Sequence, residues 1–215
     1  KGSILHTDAV QAVGKIPLHL SKSAIDLLTL SGHKLHAPKG VGALFIRKGI
    51  TFTPFVVGGH QEKNRRGGTE NVPSIIGLGR ACELAKKYMS EEQILVKQLR
   101  DKVEDEILEK APDVRVNGHK TKRLPNTTNL SFEFVEGEAI LLLLNERGIC
   151  ASSGSACTSG SLEPSHVLRA MGVPFTAVHG SVRLSLSRYN TIEEVDYIVE
   201  HLPPIIRRLR EISPY

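Results

Sequence analysis

Cysteine is scarce in this chain: Cys82, Cys150 and Cys157 are the only three among 215 residues. That is too few for a disulfide framework at this length, so a reducing compartment, the cytoplasm, is expected. Long hydrophobic runs are missing. No apolar stretch reaches the roughly 18 residues of a membrane helix, and no basic segment leads into an apolar one as in a secretory signal. Aromatic residues are only 5%, and no RNA-recognition or zinc-finger pattern occurs. Direct nucleic-acid binding is therefore not expected, although 28 Lys and Arg against 23 Asp and Glu leave a formal charge of +5. That charge is compatible with a small anionic ligand or an acidic protein partner. Nothing repeats at a fixed period. What is present, 40% hydrophobic and 24% charged residues, is the balance of a folded globular protein. The chain starts at Lys1 and enters a strand-like run, Ser3–His6, almost at once, so a missing beginning is expected.

The apolar patterning divides the chain near residues 88–92. Before the seam, residues 3–7 read as a buried strand ending at Asp8. Ile25–Leu30 and Val41–Ile46 read as two more, joined by glycine-rich turns. Asn64–Asn71 reads as a polar loop, and Pro73 opens a helix to about Tyr88. After the seam, Ser90 with Gln93 has the form of a capping box for a second helix, running to about Lys110. Strands are expected at Val114–Val116, Thr128–Phe134 and Val182–Leu186, and helices at Gly137–Asn145 and Ser161–Met171. Thr191 caps a last helix with Glu194 at its third position, and Pro203-Pro204 interrupts it. Residues 1–90 thus resemble the tail of an α/β sheet domain, and 91–215 a smaller α+β layer.

Five segments carry side chains able to do chemistry. Ser31-Gly32-His33-Lys34 directly follows an apolar strand, where α/β proteins hold their ligands. A lysine there can be a Schiff-base nucleophile, and Ser31 and His33 can meet a phosphate. His6–Gln11 ends a strand with Asp8 and places Gln11 one helical turn later; a carboxylate there can hold a positively charged ring nitrogen, or simply cap a turn. Asn64–Asn71 combines arginines, backbone amides and Thr69 for an anion, without the closing Gly-Lys-Ser/Thr of a Walker A loop. Ala151–Ser161 surrounds Cys157 with small residues, which suits an exposed, reactive thiol. Cys150 and Cys82 read as buried, and six residues between Cys150 and Cys157 with no second ligand pair make a weak metal site. Arg183 alternates with apolar Val182 and Leu184, so it lies on the opposite strand face, as a carboxylate clamp or a structural ion pair.

Together His6–Gln11, Ser31–Lys34, Arg65–Asn71, Ser152–Gly160 and Ser181–Thr191 resemble, in order, the motifs of the NifS/IscS-like cysteine desulfurases within the class-V aminotransferases. The Ser-Ser-Gly-Ser-Ala-Cys form around Cys157 is similar to the group with a long catalytic loop. The resemblance implies an α/β pyridoxal-phosphate-dependent fold of type I, aspartate-aminotransferase-like. Residues 1–90 would be the tail of its large cofactor domain and 91–215 its small C-terminal domain.

The same resemblance implies roles. Lys34 corresponds to the lysine that bonds to pyridoxal 5'-phosphate, Asp8 to the partner of its ring nitrogen, and Gln11 to the donor to its ring hydroxyl. Ser31 and His33 correspond to phosphate ligands. Thr69 would reach the phosphate in the other subunit, which implies a homodimer. Arg183 would hold the carboxylate of the substrate L-cysteine. Cys157 would take its sulfur as a persulfide for an acceptor or scaffold protein of iron–sulfur assembly, leaving L-alanine. Neighbouring possibilities are a selenocysteine lyase, a cysteine sulfinate desulfinase, and a non-catalytic iron–sulfur scaffold with Cys157 as a cluster ligand. The family's members carry a preceding portion with a ring-stacking histidine, so this sequence is expected to be the C-terminal part, with a separate chain as one place for the rest.

Overall fold

The computed structural model describes residues 2–153 and 164–213. They form two units, divided between Ser90 and Glu91.

The first unit is built on a three-stranded sheet in the order β1-β2-β3: β1 His6–Asp8, β2 Leu27–Ser31 and β3 Gly42–Ile46. β1 runs parallel to β2, with Asp8 beside Thr29, and β3 returns antiparallel. Gly42 is required where β3 begins, because a Cβ there would lie 2.6 Å from the Leu30 carbonyl oxygen. The expected buried strand over 3–7 is corrected. Ladder pairing begins only at His6, and Ile4 and Leu5 are 55% and 48% exposed. Leu5 gives its amide to the Asp26 carboxylate at 3.0 Å. A short turn, α1 Gln61–Asn64, carries left-handed backbone at Glu62, Lys63 and Asn64.

The helix α2 then runs without interruption over Val72–Lys110, its early turns in the first unit and its later turns in the second. The two helices expected on either side of Ser90 are thus one, and the Ser90–Gln93 capping box does not form. From Arg80 to Lys110 there is no proline or glycine to stop propagation, so a local capping signal loses to the continuing backbone ladder. The N-cap lies instead at Asn71, whose Oδ1 accepts from the Ser74 amide at 3.3 Å.

The second unit is a two-layer α+β arrangement. Its antiparallel sheet has the order β4-β5-β6: β4 Val114–Val116, β5 Thr127–Phe132 and β6 Ser181–Ser185. The helices are α3 Gly137–Glu146, α4 His166–Ala170, α5 Phe175–Val178 and α6 Ile192–Glu211. Strand alternation sends Leu130, Phe132, Val182 and Leu184 to one face, all 2% exposed or less. They join Val96, Leu99, Val103 and Ile107 of α2, Ile140 and Leu144 of α3, and Val195, Val199, Leu202 and Ile206 of α6 in a single core.

Three further expectations change. α6 continues through Pro203 and Pro204. Leu202, Pro203, Ile205 and Ile206 keep its buried stripe in register, and that packing outweighs two missing amide donors. β5 ends at Phe132, and the chain turns at Phe134, φ 63°. The helix expected from Ser161 begins at His166, preceded by non-helical Pro164 and Ser165; its expected first turn falls outside the described residues.

Candidate active site

Each unit carries one group of the candidate side chains. In the first, parallel pairing of β1 and β2 brings their carboxyl ends to the same edge of the sheet. Asp8 ends β1. Its Oδ1 accepts from the Val10 amide at 2.9 Å, an Asx turn that fixes the carboxylate at the strand end. Ala9, buried behind it, donates to the Thr29 carbonyl at 2.9 Å and starts a turn in which Val13 donates back to Ala9 at 3.0 Å. Exposed Gln11 sits on that turn, after exposed Asp8.

Ser31 ends β2 and leads into one 3₁₀ turn, Gly32–Leu35. Gly32 donates to the Val41 carbonyl at 2.8 Å and accepts from the Ala37 amide at 3.0 Å. A Cβ on Gly32 would meet Val41 Cγ1 at 2.9 Å, so the turn is a cradle only glycine fills. Leu35 is buried and anchors the turn, whereas His33 and Lys34 are exposed. Ser31 Oγ and His33 Nδ1 share a hydrogen bond of 2.7 Å. Carboxylate, hydroxyl, imidazole and amine therefore share one edge of one sheet. Thr69 is exposed between the α1 turn and α2. The backbone before it is held by Gly67, which donates to Val56 at 2.8 Å, and by Arg66, whose Nη1 donates to the Gly67 carbonyl at 2.8 Å.

In the second unit Arg183 is the middle residue of β6, half-buried on the face opposite Val182 and Leu184. Its backbone exchanges two hydrogen bonds with Ser152: the Arg183 amide donates at 2.6 Å and the Ser152 amide at 3.2 Å. Ser181 Oγ donates to the Ser153 carbonyl at 3.4 Å. The segment leading toward Cys157 is thus fastened beside Arg183; Cys157 itself lies outside the described residues. Directly across β5 from Arg183 is Asn129. Asn117 donates through Nδ2 to Asn129 Oδ1 at 2.6 Å and to Ser131 Oγ at 2.7 Å. Sequence reading missed this polar group. Its signal was the alternation Asn129-Leu130-Ser131, which sets the polar pair on the Arg183 face.

Cys82 and Cys150 are both exposed, not buried as expected. Cys82 follows buried Ala81 by one residue, which turns it off the packed helix face, and Cys150 follows buried Ile149 in chain without regular secondary structure. Among the described residues no cluster of His, Cys, Asp or Glu could hold a metal ion. No described helix is long and apolar enough to cross a membrane.

Residues 1–198 match the family described as aminotransferase class-V. The chain belongs to this family. Among its class-V relatives, cysteine desulfurase 2 of Trichormus variabilis is 63% identical over 214 residues, covering 100% of this chain and 54% of the relative. Cysteine desulfurase NifS of Azotobacter vinelandii is 61% identical over 214 residues, covering 100% and 53%. Among solved structures, a NifS-like protein from Rickettsia africae is 36% identical with a TM-score of 0.86, covering 95% of this chain and 54% of that one. The fold is therefore that of the class-V aminotransferases, the type I fold of pyridoxal-phosphate enzymes. The chain spans about half the length of these relatives.

Proposed function

We propose that this chain is part of a cysteine desulfurase that converts L-cysteine to L-alanine and passes the sulfur, as a persulfide on Cys157, to an acceptor protein for iron–sulfur cluster assembly. Residues 1–90 are read as part of the large cofactor domain and 91–215 as the small domain. The observation that carries the reading is the shared edge of β1 and β2, which presents Asp8, Ser31, His33 and Lys34 together.

That donor set fits pyridoxal 5'-phosphate. Lys34 offers an amine for its aldehyde carbon. Asp8 keeps a carboxylate oxygen for the ring nitrogen while the other takes the Val10 amide. Ser31 and His33, already hydrogen-bonded to each other, offer a hydroxyl and an imidazole for the phosphate, over a backbone cradle that a Cβ at Gly32 would fill. Gln11 would serve the ring hydroxyl, and Thr69 the phosphate in the partner subunit of a homodimer. When bound, this group supplies the electron sink that lets bonds at the substrate α- and β-carbons break.

The chain's own residues do the rest. Arg183 binds and orients the substrate carboxylate through a charge-assisted fork. Lys34 Nζ takes the α-proton, and Asp8 keeps a proton on the ring nitrogen. The Cys157 thiolate attacks the substrate sulfur. An S–S bond forms, the C–S bond breaks, and the electron pair goes to carbon, which takes a proton to give alanine. The Cys157 persulfide then carries the sulfur to the acceptor, in a reducing, cytoplasmic setting.

The test uses the complete protein reconstituted with pyridoxal 5'-phosphate. Borohydride reduction should leave the cofactor mass on the peptide containing Lys34, and Lys34→Ala should remove it. Cys157→Ala should keep the adduct while alanine formation from L-cysteine falls by at least about 100-fold, the scale of losing a covalent nucleophile. Undiminished alanine formation by Cys157→Ala would overturn the mechanism. Absence of any adduct in the complete protein would leave a non-catalytic scaffold as the better reading.

A further inference from the structure

We propose that Asn129 is a second donor for the substrate carboxylate beside Arg183, and that Asn117 is the positioning residue that turns it there. The inference rests on the reading of Arg183 as the carboxylate clamp. It is carried by the sheet order β4-β5-β6, which puts Asn129 on the central strand between Asn117, just past β4, and Arg183 on β6.

A primary amide carries oxygen and nitrogen on opposite sides of one carbon. Asn117 approaches from the β4 side and donates Nδ2 to Asn129 Oδ1 at 2.6 Å. Asn117 cannot easily turn away, because the same Nδ2 also donates to Ser131 Oγ at 2.7 Å, and both Asn117 and Ser131 are buried. The Asn117 amide also donates to the Asn129 carbonyl at 2.8 Å, tying the two backbones. With its oxygen committed toward β4, Asn129 turns its Nδ2 toward β6. There its cross-strand partner is Arg183. Directly opposed residues of an antiparallel pair hold their Cβ atoms about 5 Å apart.

Two neighbouring donors, one charged and one neutral, do not satisfy each other. They converge naturally on an acceptor-only group with several lone pairs, which a carboxylate is. Arg183 supplies the charge. Asn129 supplies direction, since an amide held at its oxygen has lost the freedom to rotate. The same reasoning explains two asparagines on a strand face where apolar residues would pack more cheaply.

The experiment compares binding of L-alanine and ethylamine to the complete, cofactor-loaded protein, followed by the change in cofactor absorbance. The two ligands share an amine and differ by the carboxylate. Asn129→Ala should weaken L-alanine by about tenfold, the scale of one lost hydrogen bond to a charged group, and leave ethylamine unchanged. Asn117→Ala should shift L-alanine in the same direction by less. Should Asn129→Ala fold poorly, Asn129→Asp keeps the shape and the oxygen facing Asn117 but replaces the donor by an acceptor. It too should weaken L-alanine selectively, by tenfold or more. If Arg183→Ala weakens L-alanine while both Asn129 variants leave it unchanged, the inference falls and the clamp stands. If Arg183→Ala leaves L-alanine and ethylamine equally bound, the clamp itself falls, and this inference with it.

Discussion

At the scale of single residues, the second unit holds one mostly buried acid between two donors. Glu104 accepts from Arg123 Nη2 and from Thr128 Oγ1, each at 2.7 Å, with a side chain only 12% exposed. Burial pushes its carboxyl up. The hydrogen bonds from Arg123 and Thr128, and the charges of Arg123 and Arg100, outweigh this and hold it below the usual glutamate value. A lowered acid contributes stability that is present above its unfolded value of about 4.3 and is lost as pH falls through the folded value. Glu104→Gln should therefore cost about 1–3 kcal/mol near neutrality, and much less once the pH lies below the lowered folded value, where the wild type has given up the same contribution. Denaturant titrations at the two pH values check this. An equal cost at both would remove the ion pair from the account. At this scale the sequence was informative about placement and poor about burial. The positions of Asp8 at a strand end, of Lys34 in the turn after a strand and of Arg183 on an alternate strand face could be read from the pattern. The exposure of Cys82 and Cys150 could not, because neighbouring apolar residues say nothing of which way a single side chain turns.

At the scale of elements, helix ends decide. Thr191 and Glu194 form a complete capping box, Thr191 Oγ1 accepting at 3.3 Å and Glu194 Oε2 accepting at 3.2 Å. Thr191→Ala should destabilise by about 1 kcal/mol. Pro204 tells the opposite story. It is exposed inside α6 and withholds an amide from the helix ladder. Pro204→Ala should stabilise by about 2 kcal/mol, the interior penalty of about 3 less the roughly 1 that proline contributes by restricting the unfolded chain. Thermal unfolding reads both, and a Pro204→Ala that lowers the midpoint would assign that residue a packing role.

These elements also show what was legible. The β2, β3 and β6 strands, α3 and the Thr191 cap could be read because apolar period and end signal agreed there. Ser90 and Pro203-Pro204 misled because each is a local boundary signal that a continuing helix overrides, by unbroken backbone propagation at Ser90 and by buried packing at Pro203. The four-residue α5 is too short to show any period.

At the scale of the whole molecule, the chain matches about half of its relatives' length. The proposed role of Thr69 in the partner's site can be tested by mixing. One complete protein carries Lys34→Ala, the other Thr69→Val, and neither homodimer should be fully active. In a mixed dimer the subunit with intact Lys34 receives an intact Thr69 from its partner, so one working site should return. Activity that merely averages the two parents would place Thr69 in its own subunit's site.

The bridge between Ser152 and Arg183 has one more consequence. The two residues share a reciprocal pair of main-chain hydrogen bonds, so neither amide can reach solvent unless both separate. Deuterium uptake at these amides should be synchronous. Any ligand that steadies the Arg183 guanidinium should slow both together, making Ser152 a reporter of carboxylate occupancy although its own side chain need touch no ligand. Mass-resolved exchange with and without L-alanine reads this directly, and slowing at Arg183 alone would mean that the bridge opens independently of the strand.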